Sequence, residues 1–158
     1  MEYPVSAAIA LGFAELALRF GIALLFGALV GIERRLHHKN AGIQTHALVS
    51  IGAAAFGVLS LLGFGPTNNP MLIAGAVVTG IGFLGAGVIM HRGASVQGIN
   101  TAATLWATAS MGLAAGAGYY ALTAVVFTTM LIIQFPLRWL EHRIEPQPPS
   151  DAPSSDAQ

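Results

Sequence analysis

The sequence contains no cysteine, which excludes disulfides, thiolate metal sites and thiol catalysis. Charge is nearly as scarce. Asp, Glu, Lys and Arg make up 9% of the 158 residues, where a soluble domain carries about 25%. None of the four occurs from Asn40 through Met90, and none from Gly93 through Leu137. Net charge is zero and no basic patch exists beyond one short loop, so nothing points to nucleic acid as a partner. No Lys or Arg precedes Arg19, so the basic n-region of a secretory signal is missing. G-x-S-x-G, H-E-x-x-H and P-loop motifs are absent too. Five histidines and few acids leave little for catalysis. The chain is not expected to be an enzyme, and no cofactor or metal is expected.

What fills the sequence is apolar, with 54% hydrophobic residues. Apolar runs above about 18 residues read as membrane spans, and each uncharged stretch has room for two. The expectation is an all-α integral membrane protein with the lipid bilayer around it. Five helices form a compact bundle, at roughly 15–32, 46–62, 71–90, 99–117 and 119–140. The turn at Gly116-Ala-Gly118 makes the last two antiparallel neighbours. Residues 1–145 form the transmembrane domain. The tail at 146–158 is rich in Pro, Ser and Asp and is expected to be disordered.

Orientation follows from the basic residues. Arg34, Arg35 and Lys39 follow the first span, Arg92 the third, and Arg138 and Arg143 close the fifth. With five spans all fall on one side, which is then the cytoplasm. The N-terminus is expected outside and the C-terminus inside. Glu15 and Arg19, four apart, suit a pair at the outer helix end, where Arg19 snorkels to the interface.

One string, Gly80-Ile-Gly82-Phe-Leu-Gly85, matches G-x-G-x-x-G. A dinucleotide site also needs an acid about 20 residues on. None exists between Glu33 and Glu141, so the cofactor reading fails. Small residues in a bilayer instead let helices approach closely. Gly75, Thr79, Gly82 and Ala86 share a face of the third helix. Ala23, Gly27 and Gly31 line the first, and Gly112 and Gly116 the fourth. Gly85 and Gly87 point elsewhere and suit a second neighbour. These glycines are expected to pack the bundle tightly. Four glycines in eight residues also allow a break in the third helix.

Polar candidates concentrate at the expected cytoplasmic end. Glu33 lies at the membrane boundary, where a carboxylate is costly unless paired. It either binds a cation or proton, or forms an ion pair with a neighbouring Arg. His37 and His38 read as a solvated basic loop. His46 opens an apolar span beside Thr45 and either bonds a backbone carbonyl or joins a polar site. Thr101, Thr104 and Thr108 form a hydroxyl stripe that bonds backbone, joins helices or lines a permeation path. Trp106 is expected to pack inward. The candidate functional cluster is Glu33, Arg34, Arg35, Thr45, His46, Arg92, Asn100, Thr101, Thr104 and Trp106.

The segments "GIERR" (31–35), "AGIQTHALVS" (41–50), "GIGFLGAGVI" (80–89) and "GINTAATLWATASMGLAAGAG" (98–118) occur in that order. Together they resemble the membrane domain of the MgtC/SapB family, over about residues 14–140. The resemblance implies an inner-membrane bundle in a bacterium, linked to growth in low magnesium and, in pathogens, to survival in macrophages. It implies a regulator, associated with restraint of the ATP synthase and with membrane potential, rather than a magnesium pump. Gln44 stands where the family usually has Arg. Asn69, Leu72 and Ala76 stand where a charged and polar set is usual. The soluble C-terminal domain of the best-known members is not expected here, so functions that depend on it are not expected either. Two functions follow as expectations. The first is a non-enzymatic regulator that contacts a membrane partner or itself as a homo-oligomer. The alternative is a small ion transporter or channel for magnesium or protons, working as an oligomer.

Overall fold

The computed structural model describes residues 12–62, 69–92, 95–137, 139, 140 and 143. The tail and most of the loop before Asn69 lie outside them. Five helices follow one another: α1 (Phe13–Leu36), α2 (Ile43–Leu62), α3 (Pro70–Gly87), α4 (Ile99–Gly116) and α5 (Tyr120–Ile132). A π-helical turn, Ile133–Leu137, continues α5 through Pro136. The chain is an all-α membrane protein, with four helices long and apolar enough to cross a bilayer: α1, α2, α3 and α5 with its π turn.

The remaining helix, α4, is the most enclosed. It contacts all four others. Ten of its residues are buried, including Thr101, Thr104 and Thr108. A helix surrounded by helices meets little lipid, so its hydroxyls are tolerated where a lipid-facing helix would not carry them. Three small core clusters string along it. Ala115 meets Ala23 and Ala54. Met111 meets Val30 and Met130. Ala109 meets Ala53 and Ile81. Outside, Phe83, Leu72, Val125 and Ile132 are exposed to the surroundings, as lipid-facing positions are.

The helix ends carry their signals. Asn69 caps α3, its side chain accepting from the Met71 amide at 3.0 Å, with Pro70 next in line. After α1, His38 adopts φ 53°. The amides of His38 and Lys39 reach back to the carbonyls of Arg35 and Arg34. Gly118, at φ 83°, closes α4 the same way onto Ala115, with Tyr119 bonding Ala114. Both ends are Schellman turns.

Between α3 and α4 the expected loop is a hairpin. β1 (Met90–Arg92) pairs antiparallel with β2 (Ser95–Gln97). The third helix therefore stops at Gly87, earlier than expected, and Met90 belongs to the hairpin. Within its bounds α3 is continuous, so the break that its glycines allow does not occur.

The glycines divide sharply. A Cβ on Gly27 would lie 2.7 Å from that of Ser50, and Gly31 faces the Ile43 backbone. Gly112 and Gly116 lie against the carbonyls of Ser50 and Ala54. These four pack α1 and α4 onto α2 as expected. So does Gly57, which sequence reasoning missed; its Cβ would lie 2.6 Å from the Leu113 carbonyl oxygen. On α3 the expectation is corrected. Gly85 touches Ala102, but Gly75, Gly82 and Gly87 have nothing nearby among the described residues. The packed side of α3 is the one carrying Ile81 and Gly85, and the glycine-rich faces look outward.

Candidate functional site

The polar residues of the bundle fall into three groups. The first joins α1 to α4. Arg34 is 5% exposed, and its Nη2 donates to Oγ1 of Thr101 at 3.0 Å. A guanidinium drawn inside the bundle is costly unless it is held by hydrogen bonds. Thr101, in the first turn of α4, is positioned to supply one.

The second group holds Glu33, 5% exposed. Its partner is not an arginine. Nδ1 of His37 lies 2.8 Å from Oε1 of Glu33 and 2.9 Å from the Glu33 carbonyl oxygen. Both are acceptors, so Nδ1 carries the proton. His37 is thus half-buried on the last turn of α1, edge-on to Phe135 at 6.0 Å, rather than solvated. The signal was present in the sequence, as Glu33 and His37 stand four apart. The other carboxylate oxygen, Oε2, is buried with no hydrogen-bond partner among the described residues.

The third group runs along α4. The Thr104 hydroxyl donates to the Asn100 carbonyl at 2.6 Å, and that of Thr108 to the Thr104 carbonyl at 2.8 Å. His46, fully buried on α2, places Nδ1 2.9 Å from Oγ1 of Thr108. Since Thr108 already donates, it accepts here, and His46 Nδ1 carries the ring proton. Nε2 is buried with no partner among the described residues. One turn on, Ser50 donates to the Ala23 carbonyl at 2.7 Å. Ser50 did not stand among the expected residues, and Thr108 stood only in the hydroxyl stripe, not in the candidate cluster. Ser50 was legible only as a small polar residue on an apolar face.

The expected cluster is therefore only partly assembled. Glu33, Arg34, His46, Thr101 and Thr104 are buried. Arg35, Thr45 and Asn100 are exposed, and Trp106 is 50% exposed. Trp106 does not pack inward: on α4 it is turned by about 100° from Leu105 and about 160° from Thr108, on the arc that no other described helix covers. Arg92 pairs with Ser95 in the hairpin. Among the described residues no group of three His, Asp or Glu comes together.

At the opposite end lies a clasp. Arg19 bonds Oε1 of Glu15 through Nε at 2.8 Å and the Gly116 carbonyl through Nη1 at 2.8 Å. Tyr120 donates to the same Glu15 oxygen at 2.6 Å. Arg19 thus turns inward to the carboxyl end of α4 instead of snorkelling outward, and its side chain is 11% exposed.

Comparison with known proteins places the chain. The model of the MgtC family matches residues 20–143. The chain is 44% identical over 123 residues to "Protein MgtC" of Brucella abortus (strain 2308), covering 78% of this chain and 51% of that one. It is 44% identical over 126 residues to "Protein MgtC" of Salmonella typhimurium (strain 14028s / SGSC 2262), covering 80% and 54%. The chain spans about half the length of these curated relatives. No solved structure matches it.

Proposed function

The chain belongs to the MgtC family, and on that footing we propose a non-enzymatic membrane regulator acting through the outward face of α3. The process served is adaptation to low magnesium and control of membrane energetics, through the ATP synthase or the membrane potential. The location is the bacterial inner membrane. The contact is helix against helix, with a membrane partner or a second copy.

The observation that carries this is the unused glycine face. Gly75, Gly80, Gly82 and Gly87 on α3 have open space where a side chain would be. Glycine weakens a helix by about 1 kcal/mol relative to alanine. At Gly27 and Gly31 of α1, Gly57 of α2, and Gly112 and Gly116 of α4 that cost is offset by close helix contact. At these four α3 positions nothing among the described residues offsets it. Each residue turns the helix by about 100°, which sets Phe83 between the Gly75–Gly82 and Gly80–Gly87 rows. Phe83 is 83% exposed. A ring flanked by two small-residue rows is a knob with grooves beside it, suited to another helix.

The transporter alternative finds less support. Thr104 and Thr108 give their protons to their own helix, and α3 is unbroken. Two experiments test the proposal. In a strain lacking the gene, Gly82→Leu should fail to restore growth in low magnesium, while Gly21→Leu, on an open α1 position, restores it at equal membrane level. Reconstituted liposomes should pass neither magnesium nor protons above the empty-vesicle rate. Growth restored by Gly82→Leu, or flux through the pure protein, overturns the proposal.

A further inference from the structure

The cleft between the end of α1, the hairpin and the start of α4 takes in the Arg34–Thr101 pair and adds residues that none of the groups above uses. Its volume is about 530 Å³. Arg34, His38, Lys39, Gln97, Asn100 and Thr101 are among its lining residues, and among the described residues no Asp or Glu lines it. Glu33, the neighbouring acid, is turned to His37.

The local structure brings the cations there. The Schellman turn after α1 ends the helix at His37 and swings His38 and Lys39 across its end. Arg34 is held against Thr101 from inside. Lys39 is half-buried, whereas Arg35, one residue from Arg34, is exposed and lies outside the lining. Of the five basic groups of this segment, Arg34, His38 and Lys39 line the cleft, while Arg35 and His37 do not.

The fourth wall is the amino end of α4. Its N-cap, Gly98, sits at φ +96° and provides no side-chain cap. A Cβ there would collide with the Val88 carbonyl, so no capping side chain can replace it. Ile99, Asn100 and Thr101, the first turn, line the cleft. First-turn amides have no intrahelical acceptor, and the helix dipole favours negative charge there.

We infer that this cleft binds a phosphate group. The Arg34 and Lys39 side chains, the His38 imidazole, first-turn amides and the Thr101 and Asn100 side chains suit a tetrahedral anion with several acceptor oxygens. The room exceeds one phosphate, which admits a phosphate ester. Basic pockets between membrane helices at the cytoplasmic face accept anionic lipid headgroups. The charge asymmetry of the sequence puts the cleft on that face. The phosphate has two possible sources, an anionic phospholipid or a soluble phosphate.

The test uses the full chain in nanodiscs. In phosphatidylcholine with phosphatidylglycerol, native mass spectrometry counts retained lipid. In phosphatidylcholine alone, calorimetry titrates inorganic phosphate. The variants are Lys39→Gln and the double His38→Asn/Lys39→Gln; the asparagine keeps the left-handed turn. Arg143→Gln, an exposed cation stacked on Trp139, is the control. Wild type should bind in at least one arm, with the double variant at least tenfold weaker, Lys39→Gln intermediate and Arg143→Gln unchanged. Retained phosphatidylglycerol identifies a lipid source; binding of inorganic phosphate identifies a soluble one. Binding in neither arm, or binding that ignores the cleft variants, overturns the inference.

Discussion

The guanidinium of Arg34, near the end of α1, donates to the hydroxyl of Thr101 at the start of α4, across 3.0 Å and 67 positions of sequence. The bond ties the outermost turn of a lipid-facing helix to the enclosed helix of the bundle. A hydrogen bond to a charged group contributes about 1.5–3 kcal/mol. Thr101→Val should therefore lower stability by about 2 kcal/mol, and Thr101→Ser by much less. Unfolding by denaturing detergent in mixed micelles measures this. Equal stability of Thr101→Val and wild type would mean that the bond contributes nothing.

Packing separates two kinds of glycine. Overfilling a packed contact typically costs about 1–3 kcal/mol. Gly112→Ala and Gly116→Ala should each cost that much, because their new methyls meet the carbonyls of Ser50 and Ala54. Gly82→Ala meets nothing within the chain and should leave unfolding of the isolated protein unchanged or slightly improved. The same micelle titration compares all three. A destabilised Gly82→Ala would place a neighbour on α3 inside the protomer.

The clasp at the other end predicts a failure of conservative exchange. Arg19 serves two acceptors on different helices, Glu15 and the Gly116 carbonyl. Lysine is a compact point charge without the guanidinium fork. Arg19→Lys should therefore recover little of the stability lost in Arg19→Gln, about 1–3 kcal/mol. Full recovery by lysine would reduce the clasp to simple charge pairing.

His46 carries a spectroscopic prediction. Its Nδ1 must hold a proton to donate to Thr108, and Nε2 is buried without an acceptor. Nitrogen-15 spectra of labelled protein at neutral pH should show Nδ1 protonated and Nε2 bare. Thr108→Val should remove that preference. A protonated Nε2 would reverse the direction of the His46–Thr108 bond.

The helices were legible because the uncharged stretches are long and the ends carry Asn69-Pro70 and Gly118. The hairpin was not, since six paired residues give too short an alternation to stand out from a loop. Arg34, His46 and Thr101 could be placed by the cost of burying them in a membrane. Their partners could not, because pairing depends on how α4 rotates among its neighbours. Trp106 and the α3 glycines went wrong for the same reason. Spacing says which residues share a face, but only the packing says which face looks inward. His37 was missed by treating adjacent histidines as one loop, although the helix runs to Leu36 and aligns His37 with Glu33.

The central claim is that the α3 glycine face meets another helix in the membrane. Phe83 is best placed to report it, and p-benzoylphenylalanine keeps its ring and extends it by a photoreactive benzoyl group into the exposed space. Illumination of bacteria expressing Phe83→p-benzoylphenylalanine should yield a discrete protein adduct, either a dimer of this chain or a complex with one membrane partner. Additional Gly75→Leu and Gly82→Leu should abolish it. The same probe at Leu25, on the exposed side of α1, should yield none. Adducts from Phe83 with lipid alone, or equal protein adducts from both positions, would contradict the account.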